Sequence, residues 1–341
     1  MDRRFIIIIV LIFLAIISII FSTTIGAANI SAADTVKVIL NHLKGNTGSP
    51  ADVSESYIIL NIRLPRILLG FLVGASLAVA GVSFQGLMQN PLADPYTIGV
   101  SSGAAVGAAL AFLLPVSAGW LSILTIPLMG FLGGGIALFA VYQMAHIGGK
   151  VPVITLLLAG VVVSSFLSAV ISVIMLFAGE ALRGIFFWLA GGLAAKGWLH
   201  VGIILPYFFL GGALLFYYTR DLNVLLMGED TALSLGVEVE KVKRNILFAA
   251  SLVTAAAVSV SGMIGFVGLI IPHAVRMVVG PDHRFLLPAS AVSGGIFLVW
   301  ADIVARVILL PSEIPVGIIT AFLGAPFFMY LLRKRRHDFR F

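Results

Sequence analysis

The sequence contains no cysteine, which excludes disulfide bonds, thiolate metal ligands and a cysteine nucleophile together. Charge is scarce: 11% of the 341 residues are Asp, Glu, Lys or Arg, against about 25% in soluble proteins. Hydrophobic residues make up 60% of the chain, and the mean hydropathy is +1.12. This composition indicates a membrane protein. It predicts no nucleic-acid partner, because the net charge of +6 has a topological explanation.

Two signatures of self-contained energy coupling are also missing. No G-x-x-x-x-G-K-[ST] phosphate loop is present, since the one Gly-Lys pair, Gly149-Lys150, is followed by Val151. No acidic residue falls at mid-depth in a long apolar segment, where ion-coupled carriers usually place a carboxylate. The six histidines lack metal-ligand spacing. We therefore expect no catalytic residue, no metal site and no cofactor, and ion-coupled secondary transport is disfavoured.

Long apolar runs define the architecture. A bilayer core of about 30 Å requires about 20 apolar residues in a helix. Ten such segments are predicted, at 5–25, 64–88, 97–114, 120–145, 152–178, 199–219, 245–264, 270–280, 285–308 and 314–332. The eighth is too short to cross alone and is predicted as a half-helix, and 181–195 is a candidate for one further short helix. The fold class is all-α, a polytopic membrane protein with a single domain, residues 1–341.

The first apolar run has two interpretations. Arg3 and Arg4 before the run, and the small residues Ala27 and Ala28 after it, are also typical of a secretory signal. However, the run 5–21 exceeds the usual signal core of about 7–15 residues. An uncleaved first span is therefore favoured.

An even number of spans places both termini on one side of the membrane. With both termini cytoplasmic, fourteen of the 21 Lys and Arg lie inside, so the positive-inside rule supports this orientation in an inner or plasma membrane. All four tryptophans then fall near the outer interface: Trp120, Trp188, Trp198 and Trp300. Residues 220–244, which hold nine of the 36 charges, become a cytoplasmic segment between spans six and seven.

Four stretches resemble one known family, in the same order along the chain. They are RLPRILLGFLVGASLAVAGVSFQGLMQNPLADPYTIGVSSGA (63–104), GEDTALSLGVEVEKVKR (228–244), SGMIGFVGLIIPHAVRMVVGPDHRFLLPAS (261–290) and ADIVARVILLPSEIPVGIITAFLGAPFFMYLL (301–332). The chain resembles the membrane permeases of type II ABC importers, the iron-siderophore, haem and cobalamin family. The resemblance implies a fold like the vitamin B12 importer permease, a homodimer, two cytoplasmic ATPases and an extracytoplasmic substrate-binding protein. It implies import into the cytoplasm by alternating access, and the alternatives are a secondary transporter and a non-transporting membrane receptor.

The resemblance implies that 220–244 is the coupling segment that docks on the ATPase. Acidic residues lead and basic residues trail, the order that favours a helix macrodipole. The alternative is a merely solvated loop. The implied contact residues are Gly228, Glu229, Asp230, Ala232, Leu235, Gly236 and Val237.

On the outer side, Arg63 and Arg66 are three residues apart and share a helical face. The resemblance implies that they and Arg306 receive acidic residues of the binding protein. Arginine suits this role because it forms bidentate pairs with carboxylates. For Arg306 a structural alternative exists, since Asp302 lies one turn away and would neutralise it.

The remaining implied regions are the gate and the pathway. Asn90 and Leu92, with the loop glycines Gly148 and Gly149, are implied as the cytoplasmic gate. A plain helix break is the alternative, and the loop HIGGKVP lacks the hydroxyl groups frequent in the family. Pathway-lining residues are implied in spans five and ten: Ser164, Ser165, Gly317 and Thr320.

The predicted pathway walls are small and uncharged, so they carry no signature of a particular cargo. A ferric siderophore, haem, a corrinoid and an oxyanion chelate all remain open. The ferric siderophore is favoured only because that class is the broadest in the family.

Overall fold

The computed structural model describes residues 3–26, 31–43, 50–114 and 120–334, and these residues form helices without any β-sheet. The helices, in chain order, are α1 (Arg3–Thr24), α2 (Ala32–Leu43), α3 (Pro50–Tyr57), α4 (Leu64–Leu87), α5 (Val100–Leu113), α6 (Trp120–Ala145), α7 (Val153–Phe177), α8 (Leu182–Leu189), α9 (Trp198–Tyr217), α10 (Thr219–Leu225), α11 (Glu229–Ser234), α12 (Val239–Ser261), α13 (Val267–Val279), α14 (His283–Val307) and α15 (Val316–Lys334). The all-α prediction is confirmed.

Each of the ten predicted spans coincides with one of these helices. Seven helices are long and apolar enough to cross a membrane, namely α1, α4, α6, α7, α9, α12 and α14. The three others, α5, α13 and α15, are shorter apolar helices. α13 has 13 residues, as expected for the predicted half-helix, and α8 falls inside the predicted candidate segment 181–195.

The spans differ from prediction mainly at their ends. α3 continues through a π-helical stretch, Ile58–Arg63, into α4. The helix that contains the second span therefore begins before the predicted residue 64. α12 begins at Val239 instead of 245, because the charged residues of its first two turns are already helical. α5 begins after Gly99, whose left-handed φ of +83° separates it from a short 3-10 helix, Pro95–Ile98.

α4 forms the centre of the helix bundle. It packs against α9, α12, α13 and α14, and most of its side chains are buried. The contacts with α13 and α14 are backbone to backbone: a methyl group built on Gly81 would overlap the carbonyl oxygen of Gly268, and one on Gly74 would overlap that of Gly294. Small residues therefore set these helix spacings, as is common in membrane bundles.

Other helices present broad apolar faces outward. Only 17% of the most apolar stretch is buried in both α1 and α7. On α7 the exposed side chains include Leu158, Phe166 and Leu176, which are 60%, 68% and 77% exposed. Faces of this size are stable only against hydrocarbon or another subunit.

Candidate functional site

The charged segment 220–244 contains most of α10, all of α11 and the first turns of α12, and glycines lie on both sides of α11. α10 ends at Leu225, and Gly228 has φ +104° immediately before α11. Gly236, with φ +84°, follows α11 and turns the chain toward α12. Residues other than glycine rarely adopt these left-handed backbone conformations, so both glycines define the shape of the segment.

The side chains predicted for ATPase contact divide into an inner and an outer set. Ala232 is fully buried and Val237 packs against the core, so both hold α11 onto the bundle. Leu235 is 63% exposed, and Met227 and Leu233 are 67% and 56% exposed beside it in sequence. We call Met227, Leu233 and Leu235 the α11 patch. Met227 and Leu233 were not predicted, because hydropathy does not tell which apolar side chains in or beside a six-residue helix are exposed.

An ion network ties α11 to α12. The ammonium of Lys243 lies 2.5 Å from Oε1 of Glu229 and 3.6 Å from Oε1 of Glu240, and its side chain is 8% exposed. Oε2 of Glu240 accepts a hydrogen bond from the backbone N–H of Val151 at 3.0 Å. This bond connects α12 to the loop between α6 and α7. Glu240 and Lys243 were not predicted as site residues.

The structure brings Arg66 and Arg306 to one carboxylate, at the end of the bundle that the sequence predicts to be the outer one. Nη2 of Arg66 lies 2.9 Å from Oδ1 of Asp302, and Nε of Arg306 lies 3.0 Å from Oδ2. Nη1 of Arg66 also pairs with Glu313 at 2.9 Å. The structural alternative for Arg306, neutralisation by Asp302, is therefore present.

Arg63 and Arg306 point into the protein. Nη1 of Arg63 donates to the carbonyl of Thr23 at 2.6 Å, and Nη2 of Arg306 donates to Oγ of Ser22 at 2.7 Å. Both residues are 6% exposed. Arg66 is the least enclosed of the three, with a side chain 12% exposed. The role of these arginines in docking stays a prediction.

A cavity of about 330 Å³ opens beside this cluster. Its lining combines charged groups, Arg66, Asp302, Glu313 and Lys196, with the aromatic rings of Phe112, Phe187 and Trp188. Burial lowers the pKa of Lys196 to about 8. This end of the bundle thus offers a recess lined by two basic and two acidic side chains and by aromatic rings.

The predicted gate segment follows α4 directly. Gln89 has φ +49°, and its side-chain Nε2 donates to the carbonyl of Leu225 at 2.7 Å. Oδ1 of Asn90 accepts from the N–H of Leu92 at 2.9 Å, and Leu92 is 38% exposed. Asp94 caps the short helix by accepting from the N–H of Tyr96. Burial raises the pKa of Asp94 to about 6.

Asn90 also lines a second cavity of about 360 Å³. Gln85, Arg276 and His283 line the same cavity, and Nη2 of Arg276 donates to Oε1 of Gln85 at 2.9 Å. The other predicted gate residues, Gly148 and Gly149, form a tight turn with φ of +57° and +82°. Two backbone hydrogen bonds between Ile147 and Lys150 close this turn.

The predicted pathway residues occupy different environments. Ser165 is exposed, and its hydroxyl donates to the carbonyl of Val161. Ser168 and Ser172 repeat this pattern on the same face of α7. Thr320 is fully buried, and the N–H of Gly317 donates to the carbonyl of Gly191. The role of these residues in a pathway stays a prediction.

The fold and its apolar exterior define a multi-pass membrane transport subunit. The model of the FecCD transport family matches residues 14–334, and the chain belongs to this family. The chain is the permease subunit of an ABC importer; it is non-catalytic, and a separate subunit hydrolyses ATP. The predicted family is confirmed.

Relatives and a solved structure agree with this assignment. The chain is 53% identical to a cobalamin import system permease protein of Halobacterium salinarum, over 82% of this chain and 74% of that protein. It is 39% identical to a hemin transport system permease protein of Yersinia pestis, over 83% and 85%. A solved structure described as an inward-facing conformation of a metal-chelate type ABC transporter has 33% identity and a TM-score of 0.84, covering 96% of this chain and 99% of that chain.

Proposed function

We propose that this permease imports a corrinoid such as cobalamin. The observation that carries the proposal is the 53% identity to the cobalamin permease of Halobacterium salinarum, against 39% to the hemin permease. Identity to the Fe(3+) dicitrate permease of Escherichia coli is also 39%. The small, uncharged side chains of the predicted pathway suit a cargo that a binding protein selects. A corrinoid thus replaces the ferric siderophore as the favoured cargo.

The assembly that we propose is a homodimer with two ATPases and one extracytoplasmic binding protein, with both termini cytoplasmic. The apolar exposed face of α7 supports a second copy, and the distribution of Lys and Arg supports the orientation. On the cytoplasmic side, Gly228, Glu229, Asp230, Ala232, Leu235, Gly236 and Val237 shape the surface that docks on the ATPase. The α11 patch supplies the apolar contact with the ATPase, since exposed leucines and methionine fit a hydrophobic cleft.

On the outer side we propose that Arg66 is the first arginine to meet the binding protein. An incoming carboxylate would replace Glu313, whose side chain is 39% exposed, while Asp302 stays in place. Arg63 and Arg306 would engage only after the outer end of α1 moves away from the stretch before α4 and from α14, because both arginines are now bonded to α1. Asn90, Leu92, Gly148 and Gly149 form the proposed gate, and Ser164, Ser165, Gly317 and Thr320 belong to the proposed pathway.

Uptake by the reconstituted transporter tests the cargo. We expect ATP-dependent accumulation of radiolabelled cyanocobalamin in proteoliposomes that contain the permease and its ATPase, with binding protein supplied outside. Haemin and ferric citrate serve as competing cargoes in the same vesicles. Accumulation of haemin or ferric citrate without cyanocobalamin would overturn the corrinoid assignment.

Substitution in the α11 patch tests the docking surface. Leu235→Asp places a charge in the proposed apolar contact, so we expect at least a tenfold loss of ATPase retained on the purified permease. Leu309→Asp is the matched control, since Leu309 is 58% exposed near the outer end of α14. Equal retention by both variants would contradict the docking surface.

A further inference from the structure

We propose that Gln89 and Glu240 are positioning residues that transmit movement of the coupling segment to the two halves of the cytoplasmic gate, and that Lys243 holds Glu240 in place. This inference rests on the proposed function, because it takes 220–244 as the ATPase contact. It also takes the segment after α4 and the α6–α7 loop as the gate. Neither Gln89 nor Glu240 was singled out by sequence motifs.

The first connection runs from α10 to the segment after α4. The carbonyl of Leu225 is among the last four of α10, which lack partners within their own helix. This carbonyl accepts the backbone N–H of Gly228 at 3.0 Å, and the side chain of Gln89 supplies a second donor at 2.7 Å. Gln89 itself has φ +49°, a conformation that costs a non-glycine residue energy and persists only where surrounding contacts hold it. A shift of α10 therefore acts directly on the residue that precedes Asn90.

The second connection runs from α12 to the α6–α7 loop. Glu240 lies in the first turn of α12, and its Oε2 accepts the N–H of Val151 at 3.0 Å. A hydrogen bond to a carboxylate is stronger than one between neutral groups. Val151 lies two residues after Gly149, so this bond anchors the end of the glycine turn.

Lys243 joins the docking helix to this second connection. Its buried ammonium needs carboxylate partners, because an unpaired charge with an 8% exposed side chain is costly. Glu229 of α11 and Glu240 of α12 provide them. Lys243 also shares a small cavity with Leu87, Met88 and Val151, which are residues of both gate halves or adjoin them. The coupling segment and the two gate halves therefore meet around one side chain.

The neighbouring pair Glu238 and Lys241 provides an internal comparison. These residues also lie three apart and pair at 3.4 Å, but their side chains are 72% and 55% exposed. Solvent screens such a pair, and it contributes little. The pair has the same chemistry as Glu240 and Lys243 without a bond to the loop.

Single-cysteine labelling tests the inference in the assembled permease–ATPase complex. The chain has no cysteine, so Ile147→Cys in the loop and Leu92→Cys in the other gate half each give one reactive thiol. Ile147 is 58% exposed and Leu92 is 38% exposed. The rate of reaction with a water-soluble maleimide is measured with and without ATP and vanadate. We expect the rate at each reporter to change at least fivefold on trapping.

Adding Glu240→Ala should reduce the change at Ile147→Cys to less than twofold, and the ATPase retained by each variant is measured on the same sample. Glu240→Gln keeps an oxygen that accepts the Val151 N–H, so it should restore part of the change. Gln89→Glu, which keeps the shape but loses the donor, should suppress the change at Leu92→Cys. The control Glu238→Ala should behave as the parent at both reporters.

The outcomes separate this inference from the proposed function. If Glu240→Ala and Gln89→Glu both keep the full change while the ATPase stays bound, the two connections do not transmit movement and the inference is wrong. If the unsubstituted reporters show no change on trapping, the gate assignment itself fails and the inference falls with it. Loss of bound ATPase from Leu235→Asp alone bears on docking and leaves the labelling result to be judged separately.

Discussion

At the scale of single residues, the ion cluster of Arg66, Asp302 and Arg306 depends on one carboxylate. Asp302 is 2% exposed and pairs with both Arg66 and Arg306. Asp302→Ala would leave two enclosed guanidinium groups without their shared partner, and breaking a buried pair typically costs about 3–5 kcal/mol. We expect a marked drop in the melting temperature of the detergent-purified permease, measured by intrinsic fluorescence.

Glu313→Ala is the matched control at this site. It removes the other carboxylate that Arg66 contacts, but its side chain is 39% exposed, so the loss should stay below about 1 kcal/mol. Asp302→Asn tests whether charge or shape matters, since the amide keeps the size of the carboxylate. Equal melting temperatures for Asp302→Ala and Glu313→Ala would contradict a structural role for the buried pair.

This cluster also shows what local sequence predicts and what it does not. Arg306 and Asp302 are one helical turn apart, so their contact was foreseeable from spacing alone. Arg66 reaches the same carboxylate across 236 positions of sequence, and that approach depends on how α4 packs against α14. Spacing likewise says nothing about the inward direction of Arg63, which depends on the position of α1.

At the scale of helices, backbone contact between α4 and α13 sets the geometry of the core. Gly81→Ala would place a methyl group on the carbonyl oxygen of Gly268, so the two helices must separate. Overpacking of a tight core costs about 1–3 kcal/mol or more. We expect a clear drop in the melting temperature of the purified permease. We also expect less ATPase to remain bound to it after purification.

Gly135→Ala in α6 is the control for this prediction. Among the described residues, no atom lies within 4 Å of the position that the added methyl group would take, so the substitution meets open space. Alanine favours a helix over glycine by about 1 kcal/mol, so the melting temperature should stay constant or rise slightly. An equal drop in melting temperature for both variants would contradict the claim that close backbone contact at Gly81 is needed for stability.

The helices themselves were largely predictable, because apolar runs of about 20 residues are required to span a bilayer. The prediction was least accurate where burial in protein, rather than in lipid, decides the helix end. α12 begins at Val239, before the apolar run, since Glu240 and Lys243 have partners within the fold. The order of acidic and basic residues in 220–244 favoured a helix, but the fully buried position of Ala232 follows from packing that no local pattern encodes.

At the scale of the whole molecule, the exposed surface of α7 is largely apolar and carries one short row of hydroxyl groups. One side carries the hydroxyls of Ser165, Ser168 and Ser172, each bonded to the carbonyl four residues earlier, between the exposed side chains of Leu158 and Leu176. The other carries large apolar groups such as Phe166 and Val173, which are 68% and 56% exposed. A helix in lipid on all exposed sides gains nothing from a hydroxyl stripe, whereas a helix at a central pathway does. The division supports a dimer with its pathway along the serine side.

A pair of single cysteines on α7 tests this arrangement. Ser168 and Phe166 are two residues apart and therefore project roughly 200° apart around the helix. In the assembled transporter, Ser168→Cys should react with a water-soluble maleimide at least tenfold faster than Phe166→Cys, because only the serine side would meet water. Both side chains are exposed in the isolated subunit, so a monomer in detergent should show a much smaller difference. Equal rates in the assembled transporter would mean that both sides of α7 face lipid, and the pathway would have to lie along another helix.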